Sequence, residues 1–196
     1  MDSTLINIET IDEIAKATGM SNEVALITEQ AMQGNLDFTK SFKKRVSILK
    51  GVSIASFETV YNNHLKLNPG ALELINFFKS IQVKSAVVSG GLEYFAERLH
   101  RQLGLDTFRA NNVEIVNNCL TGEVLGKVID AREKANYVNE LCNLYYLERN
   151  QVIAIGDGAN DLEMMKIAGL SVAYHAKPIQ VVVVVERTLI PERHSV

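Results

Sequence analysis

The stretch QVIAIGDGANDLEM, residues 151–164, decides the fold because a short apolar run leads through glycines and acids into a helical pattern. The run that ends at Gly156 is typical of a buried β-strand, and helix-type spacing follows it. A strand, a glycine-bearing loop and a helix in succession are typical of a parallel α/β sheet. Asp157 leaves the strand and Asp161 begins the helix, so both carboxylates and the Asn160 amide are expected at the carboxyl end of the sheet, where ligands bind.

Other strands and helices alternate in the same way before and after this stretch. Residues 83–91, VKSAVVSGG, form a second apolar strand that ends in two glycines, and residues 92–104 continue it with a helical pattern. Residues 113–128 predict a hairpin, residues 130–145 a helix, and residues 170–174 a last short strand. The pattern predicts a doubly wound α/β fold, with a parallel sheet and helices on both faces.

The segment from about Glu9 to His64 contains helical patterns only. Gly19, Gly34 and Gly51 stand where successive helices are expected to end. Ser21 and Asp37 are candidate N-caps, since short polar side chains accept hydrogen bonds from the first backbone N–H groups of a helix. The sequence therefore predicts a helical block inserted near the start of the α/β core.

Composition excludes several classes of protein. The chain has 196 residues, 47% of them hydrophobic and 22% charged, which is the balance of one globular core. Its net charge of -3 provides no field for nucleic acid or an acidic membrane. Cys119 and Cys142 form neither a CxxC pair nor a zinc spacing, and no apolar run reaches the length of a membrane span. With no basic-then-apolar leader at its start, the chain is expected to be cytoplasmic.

Two loops and one lysine are candidates for chemistry. Asp157, Asn160 and Asp161 offer the hard oxygen ligands that Mg²⁺ prefers, although the last two also suit helix capping. Ser89 and the two glycines after it could present a hydroxyl and backbone N–H groups to a phosphate, although most such turns have only a structural role. Lys134 lies in the first turns of a helix, where a lysine is usually solvated.

The motifs MDSTLINIETIDEIA, FKKRVSILKG, VSGG, DAREKA, GDGANDLEM and VAYHAKP follow one another in this order. In this order the chain resembles the haloacid dehalogenase superfamily of phosphohydrolases and, within it, the phosphoserine phosphatases, from Met1 to about Pro178. The resemblance implies a Rossmann-like, doubly wound parallel sheet with a small helical cap domain. The core would comprise residues 1–8 and 69–196, and the cap, which selects the substrate, residues 9–68.

The resemblance also implies how the phosphate is handled. An aspartate attacks phosphorus, and Asp2 is the general acid/base that protonates the leaving oxygen and then activates water. Ser89 and Lys134 hold the phosphoryl oxygens, and Gly90 presents a backbone N–H. Mg²⁺ is the implied cofactor, and its implied ligands are Asp2, Asp157 and Asp161. Asn160 would lie beside the substrate.

Four residues of the helical block are implied substrate contacts. Glu9 would take the ammonium of O-phosphoserine, and Arg45 its carboxylate through the two-pronged guanidinium. Met32 and Phe38 would shield the closed site from water. Viewed singly, each has an ordinary alternative as a helix cap, a surface residue or part of the core.

Both ends depart from the family pattern. The family strand ends Asp-x-Asp-Ser-Thr, and here x is Met1, so the attacking aspartate and the first core strand are expected ahead of the 196 residues. We therefore expect impaired turnover in this chain. Asp2 as the attacking group, with Thr4 two residues on, stays open because relatives such as the cation pumps have an Asp-x-Thr arrangement. The tail, which contains five valines at 181–185, also differs and predicts a buried edge strand.

Three functions compete. The first is a Mg²⁺-dependent phosphatase that releases serine and phosphate from O-phosphoserine in serine biosynthesis, or a disabled copy of one. The second is the same fold acting on another small phosphate ester, such as phosphohomoserine. The third is a non-catalytic module that binds Mg²⁺ and phosphate. In each case the partner is a small molecule rather than a nucleic acid or a membrane, and the chain is expected to be a monomer or a homodimer.

Overall fold

The computed structural model describes residues 1–175, apart from the side chain of Met32. The expected edge strand at residues 181–185, and the predicted role of the Met32 side chain, lie outside this described part.

The first part of the chain is helical, as predicted. Asp37 caps the third helix, since its carboxylate accepts a hydrogen bond from the Lys40 N–H at 2.7 Å. The prediction that Ser21 is an N-cap is wrong, because Ser21 is already inside the second helix and Met20 precedes it. Ser53, which the sequence analysis did not single out, caps the fourth helix. The four helices are α1 (Thr10–Ala17), α2 (Ser21–Met32), α3 (Phe38–Ile48) and α4 (Ile54–Asn63).

Strands and helices alternate after residue 70. The hairpin is confirmed, and its turn is made by Asn117 and Asn118, which both have a positive φ that asparagine tolerates well. Asp130 caps the helix that carries Lys134. The elements are α5 (Ala71–Ser80), β1 (Ala86–Leu92), α6 (Glu93–Leu103), β2 (Thr107–Val116), β3 (Cys119–Leu125), α7 (Ala131–Tyr145), β4 (Ile153–Gly156), α8 (Leu162–Ile167) and β5 (Leu170–Ala173).

The strands form two sheets in the described part of the chain. β1 pairs with β2 in parallel, and β2 pairs with β3 in the antiparallel hairpin. β4 pairs with β5 in parallel, with Ile153 opposite Leu170 and Gly156 opposite Ala173. The predicted parallel α/β architecture is confirmed, but between residues 1 and 175 no ladder joins β1 to β4. A single continuous sheet is therefore not formed by these five strands alone.

The helical segment shares one apolar core with the strands behind it. Phe42, Phe57 and Phe95 are fully buried in the largest cluster, which combines residues of α1–α4 with residues of β1, α6, β2 and β3. The Phe57 ring packs edge-on against Tyr94 and stacks on Phe95, with ring centroids 5.3 Å and 5.8 Å away. These contacts fix the position of the helical segment over the carboxyl end of β1.

The two connections to the helical segment lie side by side. Ile6 and Leu67 form an isolated antiparallel bridge. The Asn68 side-chain amide donates to the backbone carbonyls of Thr4 at 2.9 Å and Ile6 at 3.1 Å. The division into a core of 1–8 and 69–196 and a cap of 9–68 stays a prediction. Among residues 1–175, no helix combines the length and the apolar character needed to cross a membrane.

Candidate active site

One pocket lies where the ends of β1 and β4 meet the helical segment. Of the predicted site residues whose side chains the structure describes, it brings together all except Ser89, and it adds Met1 and Ile11. The lining residues are Met1, Asp2, Glu9, Ile11, Phe38, Arg45, Gly90, Gly91, Lys134, Asp157, Asn160 and Asp161.

A buried ion pair forms one side of the pocket. The Lys134 ammonium donates to Asp161 Oδ1 at 2.7 Å, and the two side chains are only 4% and 7% exposed. Asp161 Oδ2 accepts the backbone N–H groups of Asp157 and Gly158, both at 3.2 Å. Burial raises the pKa of Asp161, but the charge and hydrogen bond of Lys134 outweigh it and hold that pKa below its ordinary value. Lys134 is therefore a buried cation aimed at the pocket rather than a solvated surface lysine.

The packing around this ion pair explains one of the glycines. A Cβ on Gly156 would come within 2.5 Å of Asp161 Oδ2, so only glycine fits where β4 ends. The strand can then place Asp157 and the Asp161 carboxylate within one turn of each other.

Asp2 has one oxygen held and one oxygen free. Its Oδ2 accepts hydrogen bonds from the backbone N–H and the hydroxyl of Thr10, both at 2.8 Å. Its Oδ1 is buried and has no hydrogen-bond partner in the described structure. A Cβ on Gly91 would lie 3.1 Å from both oxygens, so a glycine there leaves room for the carboxylate. An orphaned buried oxygen of this kind is suited to a proton, a cation or a substrate atom.

The acidic side chains of the pocket provide some, but not all, of the oxygen ligands that a hard cation such as Mg²⁺ requires. Asp157 accepts the Thr4 hydroxyl at 2.5 Å on Oδ1. Both oxygens of Asp161 are engaged, as described above. Within residues 1–175, no three His, Cys, Asp or Glu side chains are grouped closely enough to hold a metal ion by themselves. Asp2 and Asp157 match the one or two carboxylates with which Mg²⁺ is bound beside water and phosphate. The ligand set Asp2, Asp157 and Asp161 stays a prediction.

The carboxyl-terminal end of β1 forms the floor of the pocket. Ser89 is 2% exposed, and its Oγ accepts the Gly91 N–H at 2.9 Å. Ser89 lies behind Gly90 and does not itself line the pocket. A Cβ on Gly90 would come within 2.5 Å of the Phe38 ring, so this glycine lets the helical segment approach the strand end.

The helical segment supplies the opposite side. Burial, followed by the charge of Asp2, raises the pKa of Glu9 to about 7, although the Ser3 hydroxyl that donates to it acts in the other direction. Arg45 Nε and Asp12 Oδ1 are both buried without a hydrogen-bond partner in the described structure. Burial raises the pKa of Asp12, opposed by the charge of Arg45. Arg45 and Asp12 can therefore each form a further hydrogen bond that no neighbour in the described structure provides.

The arrangement defines a class of protein: an α/β protein whose pocket, at the carboxyl ends of its strands, presents groups suited to an anionic ligand. A buried lysine, a glycine-bearing loop and paired acids suit a tetrahedral oxyanion and proton transfer to or from it. The family model for haloacid dehalogenase-like hydrolases matches residues 1–166, and the chain belongs to that family.

Similar proteins are phosphoserine phosphatases. The chain is 49% identical over 183 residues to the phosphoserine phosphatase of a Polaromonas species, an alignment that covers 91% of this chain and 78% of that protein. It is 45% identical over 179 residues to the phosphoserine phosphatase of Archaeoglobus fulgidus, with 91% of this chain and 52% of that protein covered.

A solved structure supports the same fold. The substrate-bound complex of a phosphoserine phosphatase superimposes with a TM-score of 0.84 at 40% identity, and covers 91% of this chain and 85% of that chain. The unliganded structure of a probable phosphoserine phosphatase from Vibrio cholerae gives 0.80 at 47% identity, and this chain spans 52% of its length. The chain thus spans between 52% and 85% of the lengths of these four proteins.

Proposed function

We propose that this chain binds O-phosphoserine in the pocket and acts as a phosphoserine phosphatase. The observation that carries the proposal is the meeting, in one pocket, of the buried Lys134 with Glu9 and Arg45, an acid and a base on the helical segment. The phosphate would lie against Lys134 and Gly90, and the amino-acid end against Glu9 and Arg45. The names of the similar proteins support the same substrate.

Each end of the substrate has a chemical match. The Lys134 ammonium would offset charge on the phosphoryl oxygens, and the Gly90 N–H would donate to them. The Ser89 hydroxyl, which does not line the pocket, would support this segment from behind. Arg45 can bind the substrate carboxylate with two parallel hydrogen bonds. Glu9, once ionised, pairs with the substrate ammonium, which replaces the proton that its raised pKa retains near neutral pH.

Asp2 is the proton donor and acceptor in this proposal. Its free Oδ1 would give a proton to the leaving serine oxygen and later take one from the attacking water. Thr10 holds the other oxygen, so the carboxylate keeps one orientation through both steps. With Asp2 Oδ1 used for proton transfer, Asp157 would hold Mg²⁺, which would supply positive charge to offset the negative charge that gathers on the phosphoryl oxygens. The free cysteines Cys119 and Cys142 support action in the cytoplasm.

A second candidate is binding without hydrolysis. In the described structure each pocket aspartate already has a hydrogen-bond partner: Thr10 for Asp2, Thr4 for Asp157 and Lys134 for Asp161. Both Asp161 oxygens are engaged, and the proposal uses the free Asp2 Oδ1 for proton transfer and Asp157 for Mg²⁺, so no pocket aspartate is left to attack phosphorus. A carboxylate added directly before Met1 therefore tests whether the supply of an attacking group separates binding from hydrolysis.

Calorimetry and phosphate release, measured side by side, separate these candidates. The protein is titrated with O-phosphoserine in the presence of Mg²⁺, and the release of phosphate is followed in the same buffer. A second protein carries a short apolar strand that ends in Asp directly before Met1. We expect both proteins to bind O-phosphoserine, and the extended one to release phosphate at least about 100-fold faster.

The other outcomes are equally informative. Release by the 196-residue chain at the rate of the extended protein would make the added carboxylate irrelevant and would favour Asp2 as the attacking group. Phosphohomoserine bound as tightly as phosphoserine would favour the broader substrate class. Failure of both proteins to bind either ester would contradict the proposal.

A further inference from the structure

Asn111 joins two segments that the pocket needs, the carboxyl-terminal end of β1 and the loop before α7, and lies outside the pocket itself. It stands within β2 and is only 1% exposed. Its side-chain N–H donates to the Gly90 carbonyl at 2.8 Å. Its side-chain oxygen accepts the Ile129 N–H at 2.7 Å. One amide group therefore connects the carboxyl-terminal end of β1 to the loop before α7.

The bond to Gly90 orients Ser89. Fixing the Gly90 carbonyl fixes the whole peptide plane to Gly91, because the peptide bond is planar. The Gly91 N–H then reaches Ser89 Oγ at 2.9 Å. The Ser89–Gly91 segment is therefore held in one conformation beneath the pocket.

The bond to Ile129 positions Lys134. Ile129 directly precedes Asp130, the N-cap of α7, and Lys134 follows one turn into that helix. The two segments are also in close contact, because a Cβ on Gly90 would come within 3.3 Å of the Ile129 carbonyl oxygen. A shift of either segment would change the separation between the Gly90 floor and the Lys134 ammonium.

We propose that Asn111 is a positioning residue for the phosphate group of the substrate. It sets the distance between the donors of the Ser89–Gly91 segment and the Lys134 ammonium without contacting the ligand. The proposal rests on the function proposed above, since it takes phosphate as the group that these donors bind.

Two variants of Asn111 and two matched variants of its neighbour test this. Asn111→Leu removes both hydrogen bonds without adding charge, whereas Asn111→Asp keeps the acceptor for Ile129 and loses the donor to Gly90. Asn112 is exposed on the other face of the same strand, so Asn112→Leu and Asn112→Asp are the controls. Thermal unfolding selects the variants that are folded at the assay temperature.

The first measurement is calorimetric titration with inorganic phosphate in the presence of Mg²⁺. We expect Asn111→Leu to weaken the phosphate Kd about 30-fold and Asn111→Asp at least about tenfold, with both Asn112 variants within about twofold of wild type. The affinity for Mg²⁺ alone should stay unchanged in all four. A folded Asn111→Leu protein that binds phosphate as wild type does would overturn the proposal.

The second measurement is amide hydrogen exchange, which needs no ligand. We expect the Ile129 N–H to exchange at least about tenfold faster in Asn111→Leu and at the wild-type rate in Asn111→Asp. Exchange in α6 should be the same in every variant, whereas general loosening of the fold would raise it too. Unchanged exchange at Ile129 in Asn111→Leu would overturn the connection between the two segments.

The two measurements separate this inference from the proposed function. A wild-type protein that binds no phosphate contradicts the proposed function, and the exchange data then decide the role of Asn111 alone. Should Asn111→Leu fail to fold, Asn111→Asp decides: weaker phosphate binding with Ile129 still protected supports the inference, and wild-type binding contradicts it.

Discussion

The two sides of the pocket differ in how completely their polar groups are satisfied. On the strand side, Lys134 and Asp161 are buried against each other, and the remaining Asp161 oxygen accepts two backbone N–H groups. On the helical side, Arg45 and Asp12 each have a buried polar atom without a partner in the described structure, and Glu9 has a raised pKa.

This difference indicates which side is complete before a ligand arrives. Buried polar groups that are fully paired hold one geometry, whereas unpaired ones cost free energy until a ligand satisfies them. The strand side is therefore preorganised, and in the proposed function it would bind the phosphate group. The helical side would bind the charged groups of the substrate and gain its missing partners from them. Variants on the two sides should differ accordingly, in stability on one side and in ligand discrimination on the other.

The largest expected effect is on the strand side, in Lys134→Met. Breaking a buried ion pair leaves a charge uncompensated, so we expect the free energy of unfolding to fall by about 3–5 kcal/mol in a urea titration. The matched control is Lys166→Met, which breaks a pair with Glu163 whose side chains are 61% and 52% exposed. Its expected loss is below about 1 kcal/mol.

The pH dependence of the same variant sharpens the test. The pKa of Asp161 lies below its ordinary value of 3.8 in the folded protein. The ionised Asp161 therefore contributes fully to the free energy of unfolding above its ordinary pKa of 3.8. This contribution is lost as the pH falls through the lower pKa of the folded state. The difference in the free energy of unfolding between wild type and Lys134→Met should become smaller on acidification. A difference that stays constant below pH 4 would contradict the role of the Lys134–Asp161 ion pair.

The next effect is on the helical side, in Arg45→Ala. Losing a charge-assisted, two-pronged interaction should weaken O-phosphoserine binding about 30-fold, while inorganic phosphate binds within about twofold of wild type. Arg45→Lys keeps the charge but loses the two-pronged guanidinium, so its affinity for O-phosphoserine should lie between those of wild type and Arg45→Ala. Lys44→Ala, exposed on the same helix, is the control. Equal losses for both ligands would place Arg45 on the phosphate rather than on the amino acid.

The smallest effect is the pH dependence of Glu9. With a pKa of about 7, Glu9 is mostly protonated below neutral pH and ionised above it. The substrate ammonium needs the ionised form, so O-phosphoserine affinity should rise about fourfold between pH 6.5 and 8.5. Calorimetry on Glu9→Gln should show that rise abolished, and inorganic phosphate provides the reference. A rise that survives in Glu9→Gln would come from another group.

Short motifs carried most of what the sequence predicted of the site. GDGANDLEM fixed the positions of Asp157, Asn160 and Asp161 because a strand end and a helix start bring these side chains together locally. Asp37 was predictable as a cap for the same reason, since it acts within one turn. The hairpin followed from two apolar runs around a polar turn.

The features that the sequence did not reveal depend on contacts between distant segments. Thr10 lies on an amphipathic helix and Asn111 within a strand, and neither position has a spacing that distinguishes it from its neighbours. Their roles appear only when Asp2, Gly90 and Ile129 are brought next to them. The pairing of the strands into two sheets likewise depends on which edges meet, and alternation of strands with helices does not specify this.

The aromatic packing between Phe57, Tyr94 and Phe95 limits how modular this molecule can be. The helical segment has no separate apolar interior, since its largest cluster includes Leu92, Phe95 and Val113 from beyond residue 68. Grafting a helical segment from a relative with another substrate would therefore require matching changes on α6 and β2. For the same reason we expect denaturant to melt helices and strands in one cooperative transition.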